Sequence, residues 1–135
     1  MAARQKLKIT RANEMAKLVF NYSFAQKEYK IEKEITMIGR APENDIVIPD
    51  YSLFKKLSML EQRLYLNNLK NVSRIHARIT LKDNQYYIED IGTKGLGSNY
   101  GTYINDVRIE VKKPYPLTDK DNIKFGPIET IFIGE

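Results

Sequence analysis

The chain contains no cysteine. Disulfide scaffolds, thiol catalysis and cysteine-ligated zinc are excluded with it. Histidine is nearly absent as well. His76 stands alone, and one imidazole cannot build a multi-histidine metal site. No segment approaches the ~20 consecutive apolar residues that span a bilayer. The basic stretch from Met1 to Thr10 lacks an apolar run of signal-peptide length. The expectation is a soluble, intracellular, monomeric protein with no metal, no cofactor and no membrane partner. Under that reading the two N-x-S triplets, Asn21-Tyr22-Ser23 and Asn71-Val72-Ser73, are chance occurrences.

What remains is an ordinary globular composition. The 135 residues are 42% hydrophobic and 29% charged, enough for one domain with its own core. The net charge of +5 raises anionic partners, but it is unevenly placed. Residues 1–15 carry four cations (Arg4, Lys6, Lys8, Arg11) against Glu14, while the other 120 residues carry 18 cations against 16 acids. We therefore read 1–15 as a basic N-terminal extension and 16–135 as a single domain close to charge balance. A nucleic-acid surface is not expected; such binding would have to reside in the tail and show a steep salt dependence.

Short runs rich in β-branched and aromatic residues dominate the pattern. They are Lys17–Tyr22, Glu28–Ile31, Glu34–Ile38, Asp45–Ile48, His76–Leu81, Gln85–Glu89, Thr102–Ile104, Val107–Ile109, Asn122–Phe125 and Glu129–Ile133. Tight turns separate several of them, at Lys82–Gln85, Asn105-Asp106 and Asp119–Asp121, where Asn and Asp tolerate left-handed backbone. About ten short strands at this spacing predict an all-β sandwich. One stretch departs from it. From Ser52 to Leu66 the residues Leu53, Leu57, Leu60 and Leu64 recur at helical spacing, predicting one amphipathic helix inserted within residues 50–70, capped by Asp50 or Ser52. The stripe is expected to pack the insertion onto the sandwich, with Phe54, Met59 and Leu66 lying off it.

Chemistry gathers at the predicted strand ends. Gly39-Arg40 closes one strand, and an arginine there offers a planar fork of donors to an anion. Ser73-Arg74-Ile75-His76 leads into another; Ser73 has a hydroxyl and a backbone N–H to donate, and Arg74 adds a second cation. A glycine-rich loop follows from Asp90 to Asn105, containing Gly92, Gly95, Gly97 and Gly101. A phosphorylated side chain carries about −1.5 to −2 charges and three acceptor oxygens. Arg40, Ser73, Arg74 and then Lys94 or Asn99 supply donors in matching number, each charge-assisted bond being worth roughly 1.5–3 kcal/mol.

In this arrangement the sequence resembles the forkhead-associated (FHA) domain family. The resemblance rests on Gly39-Arg40, Ser73-x-x-His76, Asp90-x-Gly92, Gly101-Thr102-x-x-Asn105 and Leu117-x-x-x-Asp121-x-Ile123-x-Phe125-Gly126, spanning roughly residues 17 to 133. It implies an FHA-like β-sandwich of about ten or eleven strands whose loops at one end bind phosphothreonine in partner proteins. Arg40, Ser73, Arg74, Ser98 and Asn99 would then be phosphate-binding. Asn71, Lys94 and Tyr100 would contact the peptide, with Asn71 placed to read the third residue after the phosphothreonine. Gly39, His76, Gly101, Thr102 and Asn105 would hold the loops. The last loop departs from the family pattern: it is longer than usual, and Tyr100 stands where an asparagine is expected.

Other chemistries find no support. Gly92-x-x-Gly95-x-Gly97 does not match a dinucleotide fingerprint, and a strand rather than a helix follows it. No Gly-x-Ser-x-Gly elbow occurs, and His76 has no obvious nucleophile and carboxylate arranged around it. The sequence reads as a binding module and not an enzyme. The alternative kept beside phosphopeptide binding is a phosphorylation-independent adaptor that captures partners through the inserted helix.

Overall fold

The fold, seen in a computed structural model, is described for residues 16–134; the basic extension lies outside the described residues. Eleven strands form two sheets. In chain order they are β1 (Lys17–Val19), β2 (Glu28–Lys30), β3 (Ile35–Gly39), β4 (Ile46–Val47), β5 (Ala77–Lys82), β6 (Gln85–Asp90), β7 (Thr102–Ile104), β8 (Val107–Arg108), β9 (Tyr115–Pro116), β10 (Asn122–Phe125) and β11 (Ile128–Ile133). One sheet has the order β2-β1-β11-β10-β7-β8, the other β4-β3-β5-β6-β9. The pairings are antiparallel except β3 with β4. The strand missing from the sequence reading is β9. Its proline reads as a breaker, but β9 lies at a sheet edge, where a missing N–H costs no ladder bond.

Alternation supplies the core. β5 turns Ala77, Ile79 and Leu81 inward, and β6 turns Tyr86, Ile88 and Asp90 inward. They meet Leu18, Ile123, Phe125 and Phe132 of the facing sheet, all buried. The hairpin turns adopt left-handed backbone at Asp83-Asn84 and Asn105-Asp106, with φ between 49° and 69°, the conformation that joins two twisted strands by two residues.

The registers decide which loops share an end. Ile38 at the end of β3 pairs with Ala77 at the start of β5, and Ala77 pairs with Asp90 at the end of β6. In the other sheet Thr102 opens β7 opposite Phe125, the last residue of β10. The β3–β4, β4–β5, β6–β7 and β10–β11 connections therefore crowd together.

The inserted segment is helical but is not one helix. It forms α1 (Tyr51–Phe54) and α2 (Met59–Leu69). Asp50 caps α1 by accepting from the backbone N–H groups of Ser52 and Leu53. Ser58 and Glu61 then make a capping box, each side chain taking the other's backbone N–H, which restarts the helix in the middle of the predicted span. The inward face differs as well. Leu57, Tyr65 and Leu69 turn toward the body, Tyr65 meeting the Phe24 ring edge-on at 4.9 Å. Leu60 and Leu64, expected in the stripe, are 68% and 63% exposed, and Met59 and Leu66 are exposed with them. Leu69→Ala should lower stability by about 2–5 kcal/mol in urea unfolding. Leu60→Ala and Leu64→Ala should each stay within about 0.5 kcal/mol of the parent.

Candidate functional site

Two loops are zipped together beside Arg40. The Arg40 N–H donates to the Ser73 carbonyl at 3.1 Å and the Ala41 N–H to the Arg74 carbonyl at 3.0 Å. Their closeness requires glycine at 39, since a Cβ there would lie 2.3 Å from the Arg74 carbonyl oxygen. Asn44, buried, spans the same junction by donating to the carbonyls of Ala41 (2.8 Å) and Arg74 (2.7 Å). The Tyr51 hydroxyl donates to the Arg40 carbonyl at 2.9 Å, tying α1 to the junction. The Arg40 side chain is itself oriented: its Nε donates to the Val72 carbonyl. The terminal guanidinium nitrogens make no hydrogen bond or ion pair among the described residues.

His76 is completely buried and uses both ring nitrogens. Nδ1 accepts the Ser73 N–H at 3.0 Å, so Nε2 carries the hydrogen and donates to the Gly101 carbonyl at 2.8 Å. Burial pushes its pKa below the ordinary 6.5, against smaller opposing effects from the Gly101 carbonyl and the Asp90 carboxylate. The Gly101 carbonyl also accepts the Gly126 N–H at 2.8 Å, joining the β10–β11 turn to the cluster.

Asp90 organises the long β6–β7 loop. Its Oδ1 accepts the Ser98 N–H at 2.7 Å, and its Oδ2 accepts the hydroxyls of Ser98 (2.6 Å) and Thr102 (2.8 Å). The Ser98 hydroxyl in turn accepts the Gly101 N–H at 3.0 Å. Gly92 folds the loop back tightly, with φ of 79° and space for no Cβ against the Gly97 backbone 2.1 Å away. The Asn99 N–H donates to the Ser73 hydroxyl oxygen at 3.3 Å, and that hydroxyl's own hydrogen has no acceptor among the described residues.

Several sequence expectations change here. Ser98 is not presented to a phosphate, because its hydroxyl hydrogen is spent on buried Asp90. The Ser73 N–H is likewise spent, on His76, so only the hydroxyl of Ser73 can donate outward. Asn105 does not hold the turn beside the site. It lies at the far end of β7, where its amide donates to Asp121 and its oxygen accepts the Asn122 N–H, locking the β7–β8 turn onto the opposite end. Gly39, His76, Gly101 and Thr102 do meet at the cluster. Arg40, Ser73 and the Asn99 backbone converge on it, and Arg74 projects as an exposed side chain one residue beyond Ser73. Asn71 and Tyr100 line a groove with Gly126 and Pro127, whereas Lys94 lines a separate one with Ser73. Asp90, Asn44 and Tyr51 were absent from the candidate set. A carboxylate continuing the inward series Tyr86, Ile88 was the available signal for Asp90.

Among the described residues no group of three or more His, Asp or Glu side chains is placed to hold a metal ion. No helix among them is long and apolar enough to cross a membrane.

A model of the FHA domain family matches residues 36–126. The chain belongs to the FHA family. Its fission-yeast relative, the probable E3 ubiquitin-protein ligase dma1 of Schizosaccharomyces pombe, is 39% identical over 61 residues, covering 42% of this chain and 21% of that protein. Among solved structures, this FHA domain is similar to Mycobacterium tuberculosis EmbR in complex with a low-affinity phosphopeptide: 27% identity, TM-score 0.64, covering 99% of this chain and 30% of that one. It also shares its fold with the N-terminal FHA domain of Saccharomyces cerevisiae Rad53p, solved with a phosphothreonine peptide: 14% identity, TM-score 0.65, covering 90% and 94%. The chain spans between 21% and 58% of the length of the curated relatives it matches.

The lowered pKa of His76 makes this FHA domain pH-sensitive in one direction. Between the folded pKa and about 6.5 the unfolded chain binds the extra proton, so stability is complete above 6.5 and declines as pH falls below it. The urea midpoint should fall between pH 7.5 and 5.5, and His76→Gln should flatten that slope.

Proposed function

We propose that this FHA domain binds phosphothreonine-containing segments of partner proteins, with Arg40 and Ser73 as the principal phosphate donors. The observation that carries the reading is the fixed Arg40. Its Nε is held by the carbonyl of Val72, the residue just before Ser73, and its remaining donors are unspent. A guanidinium held in this way meets an anion with little further loss of rotamer freedom. The Ser73 hydroxyl, its oxygen already occupied by the Asn99 N–H, is left to donate. Arg74 adds a second exposed cation, and the Asn99 side chain and Arg74 supply outer contacts. Family membership supports the same ligand, and the Rad53p domain of the same fold was solved with a phosphothreonine peptide. Two or three charge-assisted bonds plus peptide contacts yield about −8 kcal/mol, near micromolar affinity. Binding of that strength is reversible on a signalling timescale, and the domain's role is recognition rather than catalysis.

The groove of Asn71, Tyr100, Gly126 and Pro127 is open beside the loops and gives the flanking peptide a surface. Its one lysine, Lys124, is already paired with Asp106 at 2.8 Å, so the groove offers no spare charge to an acidic side chain.

Calorimetric titration with a phosphothreonine peptide library and its unphosphorylated counterparts tests the reading. Binding should depend on the phosphate. Arg40→Ala should cost about 30-fold or more in affinity, and Ser73→Ala about 5–10-fold, with both variants folded. Arg40→Lys should recover little, because a tetrahedral ammonium lacks the planar fork that lets Nε hold the Val72 carbonyl while the terminal nitrogens present parallel donors to one anion. Equal binding of both peptide forms, or an Arg40→Ala variant at full affinity, would refute the proposal. Partner capture through α2 would show the converse, surviving Arg40→Ala and failing when Leu60 and Leu64 are both changed to serine.

A further inference from the structure

Grooves on the described surface differ in charge. One, about 720 Å³ between β2 and β4, mixes Glu28, Glu32 and Asp45 with Lys30 and Lys33. The groove beside Asn71 contains Lys124, neutralised by Asp106. A third, about 500 Å³, is walled by Ser73, Thr93, Lys94, Gly97, Ser98 and Asn99, with no carboxylate in its lining. Lys94 makes no ion pair among the described residues. Asp90, which holds Ser98 of the wall, is buried with both oxygens occupied by Ser98 and Thr102.

A second cation stands against the same loop. A Cβ built on Gly95 would lie 3.7 Å from the Cε and Nζ of Lys112, so that ammonium lies beside the loop, again without an ion pair among the described residues. The wall is held before any ligand arrives. Gly95 N–H donates to the Gly92 carbonyl at 3.1 Å, Gly97 N–H to the Ile91 carbonyl at 2.8 Å, and Ile75 N–H to the Thr93 hydroxyl oxygen at 3.3 Å. The hydroxyls of Ser73 and Thr93 donate to no acceptor among the described residues. The groove thus combines fixed neutral donors, positive charge unpaired among the described residues, and a shared boundary, Ser73 and Asn99, with the phosphate site.

From this we infer that the groove is a second anion subsite, occupied by another negatively charged group of the same peptide, with Lys94 as its cation. The inference rests on the phosphothreonine reading above, since Ser73 belongs to both sites. It assigns Lys94 to the second charge rather than to the phosphothreonine itself. With 3.8 Å between successive Cα atoms, the second group belongs within a few residues of the phosphothreonine. A carboxylate side chain and a second phosphate share the required chemistry.

The test uses the whole chain and three peptide sets around one phosphothreonine: alanine flanks, one aspartate moved from three residues before to three after, and a second phosphothreonine moved likewise. Wild type should bind the best-placed anionic peptide about 5–10-fold more tightly than the alanine-flanked one, the size of a partly exposed charge-assisted contact. Lys94→Gln should lower affinity for that peptide several-fold more than for the alanine-flanked peptide, and Lys94→Glu should reverse the preference. A gain confined to the doubly phosphorylated set names phosphate as the natural occupant; a gain from aspartate names an acidic side chain. If the alanine-flanked phosphopeptide binds but no added charge improves it, or if the gain survives Lys94→Gln, the subsite is refuted while the parent reading stands. If no phosphopeptide binds, both readings fall together.

Discussion

The imidazole of His76 takes a hydrogen from one loop and gives one to another, and the binding end of the sandwich is arranged around that exchange. Its Nδ1 fixes the Ser73 N–H, and its Nε2 fixes the Gly101 carbonyl. Ser73 belongs to the connection entering the five-stranded sheet, and Gly101 to the connection entering the six-stranded one. A single neutral ring therefore joins the two layers where their loops meet, with the Phe125 ring packed edge-on against it, 5.7 Å between centroids. Protonation would put a hydrogen on Nδ1 and set it against the Ser73 N–H. The burial that keeps the ring neutral is thus the same condition that keeps Ser73 in place.

Around that ring, polar groups divide into those spent inside and those left for a ligand. The buried carboxylate of Asp90 would be costly in an apolar layer, but three donors from Ser98 and Thr102 surround it. Asn44 closes the carbonyls of the neighbouring junction in the same way. The internal network consumes the Ser73 N–H and the Ser98 hydroxyl. What is left beside the loops includes the Arg40 guanidinium ends, the hydroxyls of Ser73 and Thr93, Arg74 and Lys94. Because the loops hold themselves, a ligand would not have to order them, and the free energy of its contacts is not offset by loop entropy.

The sandwich was legible because alternation and turn chemistry agree along the chain. Asp83-Asn84 and Asn105-Asp106 adopt the left-handed turns that their residue types predict, and the inward residues of β5 and β6 follow a strict period of two. The strand β9 was hidden by its proline, acceptable only because the strand lies on an edge. The site was legible as a set of residues but not as a circuit. Predicted strand ends brought Arg40 and Ser73 together, and the family resemblance added His76 and Gly101, yet neither could say whose hydrogen goes to whom. That is why Ser98 read as a ligand group and Asp90 did not, although Asp90 lies in the inward register of β6. Asn105 was misplaced for a related reason. Its three-residue distance from Thr102 looks short in sequence, but along an extended strand it is about 10 Å, enough to carry it to the other end.

The inserted helix shows how periodicity misleads when a segment has little to pack against. Leu53, Leu57, Leu60 and Leu64 fit one helical stripe, but Ser58 and Glu61 form a start signal in the middle of it, and the second helix begins with its own phase. An isolated helix of 11 residues is marginal in water, so α2 depends on its caps and on the few side chains that reach the body. The last of these is Leu69, buried, whose carbonyl accepts the N–H of Val72, also buried. The Val72 carbonyl is the group that holds the Arg40 Nε. The end of the helix therefore fixes the direction of the arginine without touching any ligand. The insertion, despite its exposed apolar flank, is mechanically coupled to the candidate site because its last helical residue, Leu69, holds Val72, whose carbonyl accepts from the Arg40 Nε.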